Sequence, residues 1–186
     1  MDYQLDLIAF YSLFETKNLD GYLGAVLITD INGIPREFRC SHPVKPTGIQ
    51  KTLYGHHLLS FVGITVCGSP LFKAIKSPPS LIVVDNYELL PLRNSLGIPV
   101  VHVRRAGEGV DIELQGNKNN LVSSRIDLSL NQYQSIVVSV HYEYKEDGQV
   151  AAEVFQNPLL KLDPCEPFQR IANAINLLRE KDSRFQ

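Results

Sequence analysis

Cysteine is scarce. The three residues, Cys40, Cys67 and Cys165, are odd in number and far apart. A disulfide framework needs an even set, so reduced thiols and a cytoplasmic location are expected. An excess of one charge sign is lacking too. Lys and Arg number 18 against 20 Asp and Glu, for a net charge of -2, so bulk electrostatics cannot drive binding to nucleic acid or a membrane. Glycine (12) and proline (11) are at ordinary usage, which excludes fibrous and long low-complexity tracts. No internal repeat or heptad run occurs. A charge-free stretch at 58–72 (LLSFVGITVCGSPLF) is shorter than the roughly 20 apolar residues of a spanning helix and carries Gly63, Gly68 and Pro70. It reads as a buried core segment. Met1-Asp2-Tyr3-Gln4 has neither the basic nor the apolar part of a signal peptide, and none is expected.

What is present suits one domain. Hydrophobic residues make up 44% of 186, enough to bury a sizeable core. Residues 4–16 place Leu5, Ile8, Phe10, Leu13 and Phe14 at near-helical spacing and predict a helix. Residues 22–29 are apolar on both alternating faces, as in a strand covered on both sides. Asp30-Ile31-Asn32-Gly33 is turn chemistry and 36–42 an exposed strand, which completes a hairpin. Thr47 can cap a helix running toward Gly68-Ser69-Pro70. Residues 80–84, 87–96 and 98–103 read as strand, short helix and strand, a compact parallel βαβ unit. Residues 105–120 form an exposed loop or insertion, with a short strand at 110–114. Strict alternation over 133–144, turn chemistry at 145–148 and a return over 149–155 predict a second hairpin. Asp163-Pro164-Cys165-Glu166 opens a final helix with Phe168, Ile171, Ala172, Ile175 and Leu178 as its stripe. The expected fold is α/β: a mixed sheet with a βαβ unit and two antiparallel hairpins, helices packed on the sheet and a C-terminal helix, all within 1–186.

Catalytic chemistry is thinly signalled. No phosphate-cradling glycine loop and no G-x-S-x-G occurs, so no nucleotide cofactor is expected. His141-x-Glu143 with Pro164-Cys165 resembles the opening of the zinc-deaminase signature, but Phe168 occupies the place of the second cysteine, which leaves too few ligands. Asp127 with Glu143-x-Lys145 resembles the PD-(D/E)-x-K arrangement of metal-dependent nucleases, in which two acids hold Mg²⁺ and a lysine steadies the phosphate. The plainer reading is an exposed Glu-Lys pair at a turn. Asp30 and Asp85 each end a buried apolar strand. Ribonuclease-H-like nucleases also set acidic metal ligands on sheet strands, and ligands bind beyond strand ends in open α/β sheets. The plainer roles are turn formation for Asp30 and capping for Asp85. Adjacent His56 and His57 cannot chelate one ion from an α-helix, His42 and His102 have no partner by spacing, and Cys67 reads as buried and inert. Arg104, Arg105, Lys118 and Arg125 gather in sequence around the 105–120 loop as a local phosphate-contacting patch or a solvated loop.

Two functions compete. A predicted helix, an Asn-Gly hairpin and a second helix over roughly the first 75 residues resemble the opening of scaffolding domains of the roadblock/longin type. That resemblance implies a non-catalytic protein-binding or regulatory subunit of a cytosolic, bacterial-type complex, with a protein partner and no cofactor or metal. The alternative is a Mg²⁺-dependent nuclease or phosphodiesterase using Asp30 and Asp85, or else Asp127, Glu143 and Lys145. It requires carboxyl groups within about 8 Å of each other to share an ion at ligand distances of about 2.0–2.1 Å. The packing signals outnumber the catalytic ones, so the regulatory subunit is the expectation carried forward.

Overall fold

A computed structural model describes residues 7–107, 121–128 and 133–185. Seven strands form one mixed sheet: β1 (Ile8–Glu15), β2 (Tyr22–Thr29), β3 (Pro35–Cys40), β4 (Leu81–Val84), β5 (Val100–Arg105), β6 (Leu121–Ile126) and β7 (Ile136–His141). Their order across the sheet is β3-β2-β1-β4-β5-β7-β6. β1 pairs antiparallel with β2 and parallel with β4, and β4 pairs parallel with β5. The α/β expectation holds, including the β2–β3 hairpin and the short βαβ unit.

The first element is a strand, not a helix. In IAFYSLFE, Ile8, Phe10 and Phe14 point to one face and Ala9, Tyr11 and Leu13 to the other, and both faces are packed. A strand buried on both sides loses the polar-apolar alternation that identifies strands, so its spacing mimics a helix. The roadblock/longin-like element order therefore does not occur.

The second hairpin uses other partners than expected. The 136–141 strand pairs with β6, and residues from the predicted turn onward form helix α5 (Glu146–Phe155). Ala151, Val154 and Phe155 give α5 its buried stripe, and Glu146 and Asp147 place acids in its first turn, where the helix dipole favours them. The short strand expected at 110–114 lies outside the described residues.

Helices cover both faces. On one side lie α5 and α6 (Glu166–Lys181), with Ile171 and Ile175 fully buried. The expected helix start at Asp163 shifts to Cys165. Asp163 Oδ1 accepts the Cys165 N–H at 3.0 Å, and its Oδ2 is taken by Arg105. The other side carries a helical run of 27 residues, Gly48–Ala74. It contains α1 (Gly48–Tyr54), α2 (Leu58–Ser60) and α3 (Ser69–Ala74), joined by a 3₁₀ turn (Gly55–His57) and a π turn (Phe61–Gly68). Thr47 caps it in a full capping box with Gln50. By length and composition the run could cross a membrane, but Val62, Cys67, Leu71 and Phe72 bury its inner side.

The π turn has a visible use. The Tyr11 hydroxyl donates to the Gly63 carbonyl at 2.6 Å, from the middle of β1. A Cβ at Gly24 would lie 2.7 Å from that hydroxyl, and one at Gly68 2.5 Å from the Gly63 oxygen. Glycine at 24 and 68 makes room for the tyrosine between sheet and helix.

One buried charge ties α5 to the βαβ unit, whose connection is a 3₁₀ turn (Tyr87–Leu89) and α4 (Leu92–Leu96). Asp147, 1% exposed, accepts from Arg93 Nε through both oxygens and from the Val100 N–H at 3.0 Å. The Arg93 guanidinium also lies over the Tyr144 ring at 4.7 Å. Asp147→Ala leaves a half-buried arginine and a buried amide without their acceptor, and is expected to cost about 3–5 kcal/mol. Urea denaturation measures this. Glu153→Ala, on the exposed side of the same helix, is expected to stay within about 0.5 kcal/mol of the parent.

Candidate functional site

The carboxyl ends of β1 and β4 mark the switch point of this sheet. From β1 the chain builds outward to β2 and β3. From β4 it builds the opposite way to β5, β7 and β6. Open α/β sheets take ligands at such a point, beyond the strand ends.

Two side chains meet there. Parallel pairing sets Tyr11 opposite Val84, so the next residues, Ser12 and Asp85, fall side by side. The Ser12 hydroxyl donates to Asp85 Oδ2 at 2.6 Å. Ser12 is fully buried on the face it shares with Phe10 and Phe14. Asp85 is open to solvent, but protein surrounds it on most sides. The lost hydration raises its pKa, against the lowering effect of the Ser12 hydrogen bond and of its own backbone N–H.

The expected partner of Asp85 is elsewhere. Asp30 follows Thr29, which pairs with Ile8 at the other end of β1. The two acids are separated by roughly 16 Å along the strand, at about 3.3 Å per residue, with β1 between them. They cannot share an ion. Asp30 instead closes its own turn: Oδ1 accepts the N–H groups of Asn32 (2.9 Å) and Ile34 (3.0 Å), and Oδ2 pairs with Arg36 at 2.7 Å. Burial works to raise its pKa, but these bonds and the Arg36 charge outweigh it and hold it below the ordinary range.

The second candidate set also comes apart. Asp127 follows Ile126, which pairs with Ile136, whereas Glu143 lies beyond His141, which pairs with Leu121. They project from opposite ends of the β6–β7 pair. Glu143 belongs to a 3₁₀ turn (Tyr142–Tyr144) and Lys145 leads into α5, so they share no strand face. His56 and His57, in their 3₁₀ turn, bring ring centroids to 3.9 Å, closer than an α-helix would allow, but both are exposed. Among the described residues no cluster of three or more His, Cys, Asp or Glu side chains is placed to hold a metal ion.

The arginines are better placed than their sequence spacing suggests. Arg104 on β5 and Arg125 on β6 both pair with Val137 of β7, from opposite sides. They share one row and one face of the sheet, the face opposite to that of Ser12 and Asp85, roughly 10 Å apart at two strand spacings. The row lies just past the end of β4, since Val84 pairs with His102. Arg105 points to the other face and pairs with Asp163, and Lys118 is outside the described residues. A cavity of about 340 Å³ lined by Arg39, Cys40, Ser41, Cys67 and Leu71 lies at the β3 side of the sheet, two strands from Ser12. Its arginine is paired with Glu37, and burial raises both thiols.

The site tests poorly for a resident Mg²⁺ and better for a shared one. Ser12 and Asp85 supply one carboxylate and one hydroxyl, too few for a preformed cage. Mg²⁺ can, however, bind through one carboxylate while keeping waters and taking substrate phosphate oxygens. Sequence reasoning found Asp85 but missed Ser12. The available signal was its position as a polar side chain inside the apolar run IAFYSLF.

No protein-family model matches the sequence, and no curated protein matches it significantly. Solved structures do match. An endonuclease V from Bacillus subtilis aligns over 98% of this chain and 84% of its own, with TM-score 0.57 and 9% identity. One from Streptomyces avermitilis aligns over 95% and 82%, with TM-score 0.57 and 15% identity. A variant Ciona intestinalis endonuclease V, bound to a 23mer DNA containing an inosine followed by a ribo-adenosine, aligns over 93% and 86%, with TM-score 0.55 and 10% identity. The chain has an endonuclease V-like fold. This finding overturns the expectation of a non-catalytic regulatory subunit, since the fold is that of nucleases, one of them holding DNA. It favours the nuclease alternative.

Asp85 carries a stability signature. A raised carboxyl pKa favours folding below the unfolded-state value and costs stability as pH rises through the folded one. Asp85→Asn, which can still accept from Ser12, is expected to raise the unfolding temperature at pH 7, with the gain vanishing in acid. Asp30→Asn has the opposite sign: it lowers stability at pH 7, and its deficit disappears as pH falls through the depressed pKa of Asp30. Thermal melts from pH 2.5 to 7.5 read both.

Proposed function

We propose that the chain acts on nucleic acid as a nuclease or phosphodiesterase, taking a phosphodiester backbone across the carboxyl ends of β1 and β4. The observation that carries this reading is the Ser12–Asp85 pair at the switch point of an endonuclease V-like sheet. Asp85 is the acid of the site. Ser12 fixes its orientation by donating to Oδ2 from a fully buried position. Arg104 and Arg125 supply the positive charge that the whole chain, at -2, does not. From the opposite face of the sheet they draw the backbone toward this edge. Were a Mg²⁺ ion to bind there with the phosphate, Asp85 would be the residue to hold it and the ion would supply charge neutralisation at the phosphate. Cys40, Cys67 and Cys165 form no disulfide, which suits a cytoplasmic setting for this work.

The test uses a fluorescein-labelled DNA strand containing inosine, as the DNA of the Ciona complex does. Fluorescence anisotropy at several salt concentrations is expected to show binding that weakens with salt. Replacing Arg104 and Arg125 together by alanine is expected to reduce the log–log salt slope by about 1.4, at about 0.7 per phosphate contact on a single strand. Cleavage of the same strand in Mg²⁺, followed on a denaturing gel, is expected to fall at least about tenfold in Asp85→Asn, the loss of one transition-state interaction. Full cleavage in that variant, or an unchanged salt slope in the double variant, removes the assignment.

A further inference from the structure

We infer that this chain forms a two-fold dimer through its free edge strand, with β3 of one copy pairing antiparallel with β3 of the other about Phe38. The inference stands apart from the proposed action on nucleic acid. The axis of such a pair is perpendicular to the sheet, so the two strand-end sites lie at opposite edges and share nothing.

β3 ends the sheet order, so one side of its backbone has no neighbouring strand among the described residues. The Ser41 N–H donates inward, to the Gly24 carbonyl at 2.8 Å. Backbone direction alternates along a strand, so Phe38 and Cys40 turn their N–H and C=O groups outward, away from β2. No described loop or turn bonds them there, and an edge in this state is a template for a further strand.

Charge selects a second copy of β3 as that strand. Pairing about Phe38 sets Glu37 against the partner's Arg39 and Arg39 against the partner's Glu37. Both pairs fall in the non-hydrogen-bonded positions, where side chains come closest. Within one chain the Glu37 carboxylate accepts from Arg39 Nε at 2.5 Å and from the N–H groups of Lys76 (2.9 Å) and Ser77 (3.2 Å). That uses three of its about four acceptor sites. The outer nitrogens of Arg39 make no hydrogen bond among the described residues, so each side keeps capacity for a bond across the axis. Parallel pairing sets like charges together, and centring the pair on Arg36 or Cys40 parts Glu37 from Arg39. Charged side chains on a short edge strand ordinarily keep other strands away. Here they do so in those registers and attract in this one. Apolar surface on the other face agrees. Phe38, 38% exposed, meets its own copy at the axis. Leu177 is 55% exposed, two turns along α6 from the Arg170 that donates to the Gly33 carbonyl of the hairpin, and on the same side of that helix.

Sedimentation velocity of the full chain over about 1–200 μM, the range of a small interface, is expected to show the mass rise from 20.9 kDa to twice that value. Phe38→Pro removes an N–H that points outward, leaves the pairing with β2 intact, and is expected to stay at the mass of one chain with the circular dichroism of the parent. Arg39→Glu and Glu37→Arg each set like charges across the axis, and each alone is expected to be monomeric. An equimolar mixture of these two restores both attractions and is expected to return to the doubled mass. A parent that stays monomeric at every concentration overturns the inference. So does a dimer that persists in Phe38→Pro or Arg39→Glu, or a mixture that stays monomeric. If Phe38→Pro or Glu37→Arg does not fold, the parent and Arg39→Glu alone decide.

Discussion

The parallel pairing of β1 with β4 is the constraint on which the rest depends. Both strands are buried on both faces, so neither can slip by one residue without turning a complete set of apolar side chains the wrong way. The register Tyr11 to Val84 is therefore fixed by packing alone. The contact between Ser12 and Asp85 is a by-product of that register, one step farther along. Core and site are thus specified by the same apolar residues. This explains how a chain with few chemical motifs can still place a charged group at a defined point.

The balance of charge follows from the same frame. Each structural acid is met by a base: Asp30 by Arg36, Asp147 by Arg93, Asp163 by Arg105. Asp85 is met by a hydroxyl. It is the acid at the switch point, and hydration lost to the surrounding protein raises its pKa instead of a base lowering it. A carboxyl group held at some cost to the fold is characteristic of a group kept for a ligand.

Much of the fold was legible in the sequence. The Asn-Gly hairpin, the Thr47 cap, the compact βαβ unit and the final amphipathic helix all carry local signals, and local signals survive folding. Two elements were misread for tertiary reasons. β1 lost its alternation because both of its faces are covered. Residues 146–155 follow turn-like chemistry at Lys145-Glu146-Asp147-Gly148, yet Asp147 is drawn inward by Arg93 and the Val100 amide, and the segment winds into a helix. Of the site, Asp85 was visible as an acid ending an apolar strand. Its partner was not, because Ser12 lies 73 residues away and only strand order brings the two together. Asp30 looked equivalent to Asp85 in sequence. Antiparallel pairing of β2 sends it to the opposite edge, and direction of pairing is a property that no single strand displays.

The Tyr11 niche has a consequence for how this fold can diverge. Its hydroxyl is enclosed by Gly24, Gly63 and Gly68, and it bonds the carbonyl that the wide turn leaves available. These four positions form one lock between sheet and helix. A relative that acquires a side chain at 24 or 68 has to shorten residue 11 as well, and without the phenol the extra residue of the π turn has no reason to stay. Homologous chains should therefore fall into two groups, a tyrosine with small neighbours and a wide turn, or a smaller residue with a regular α-helix, and mixed combinations should be rare.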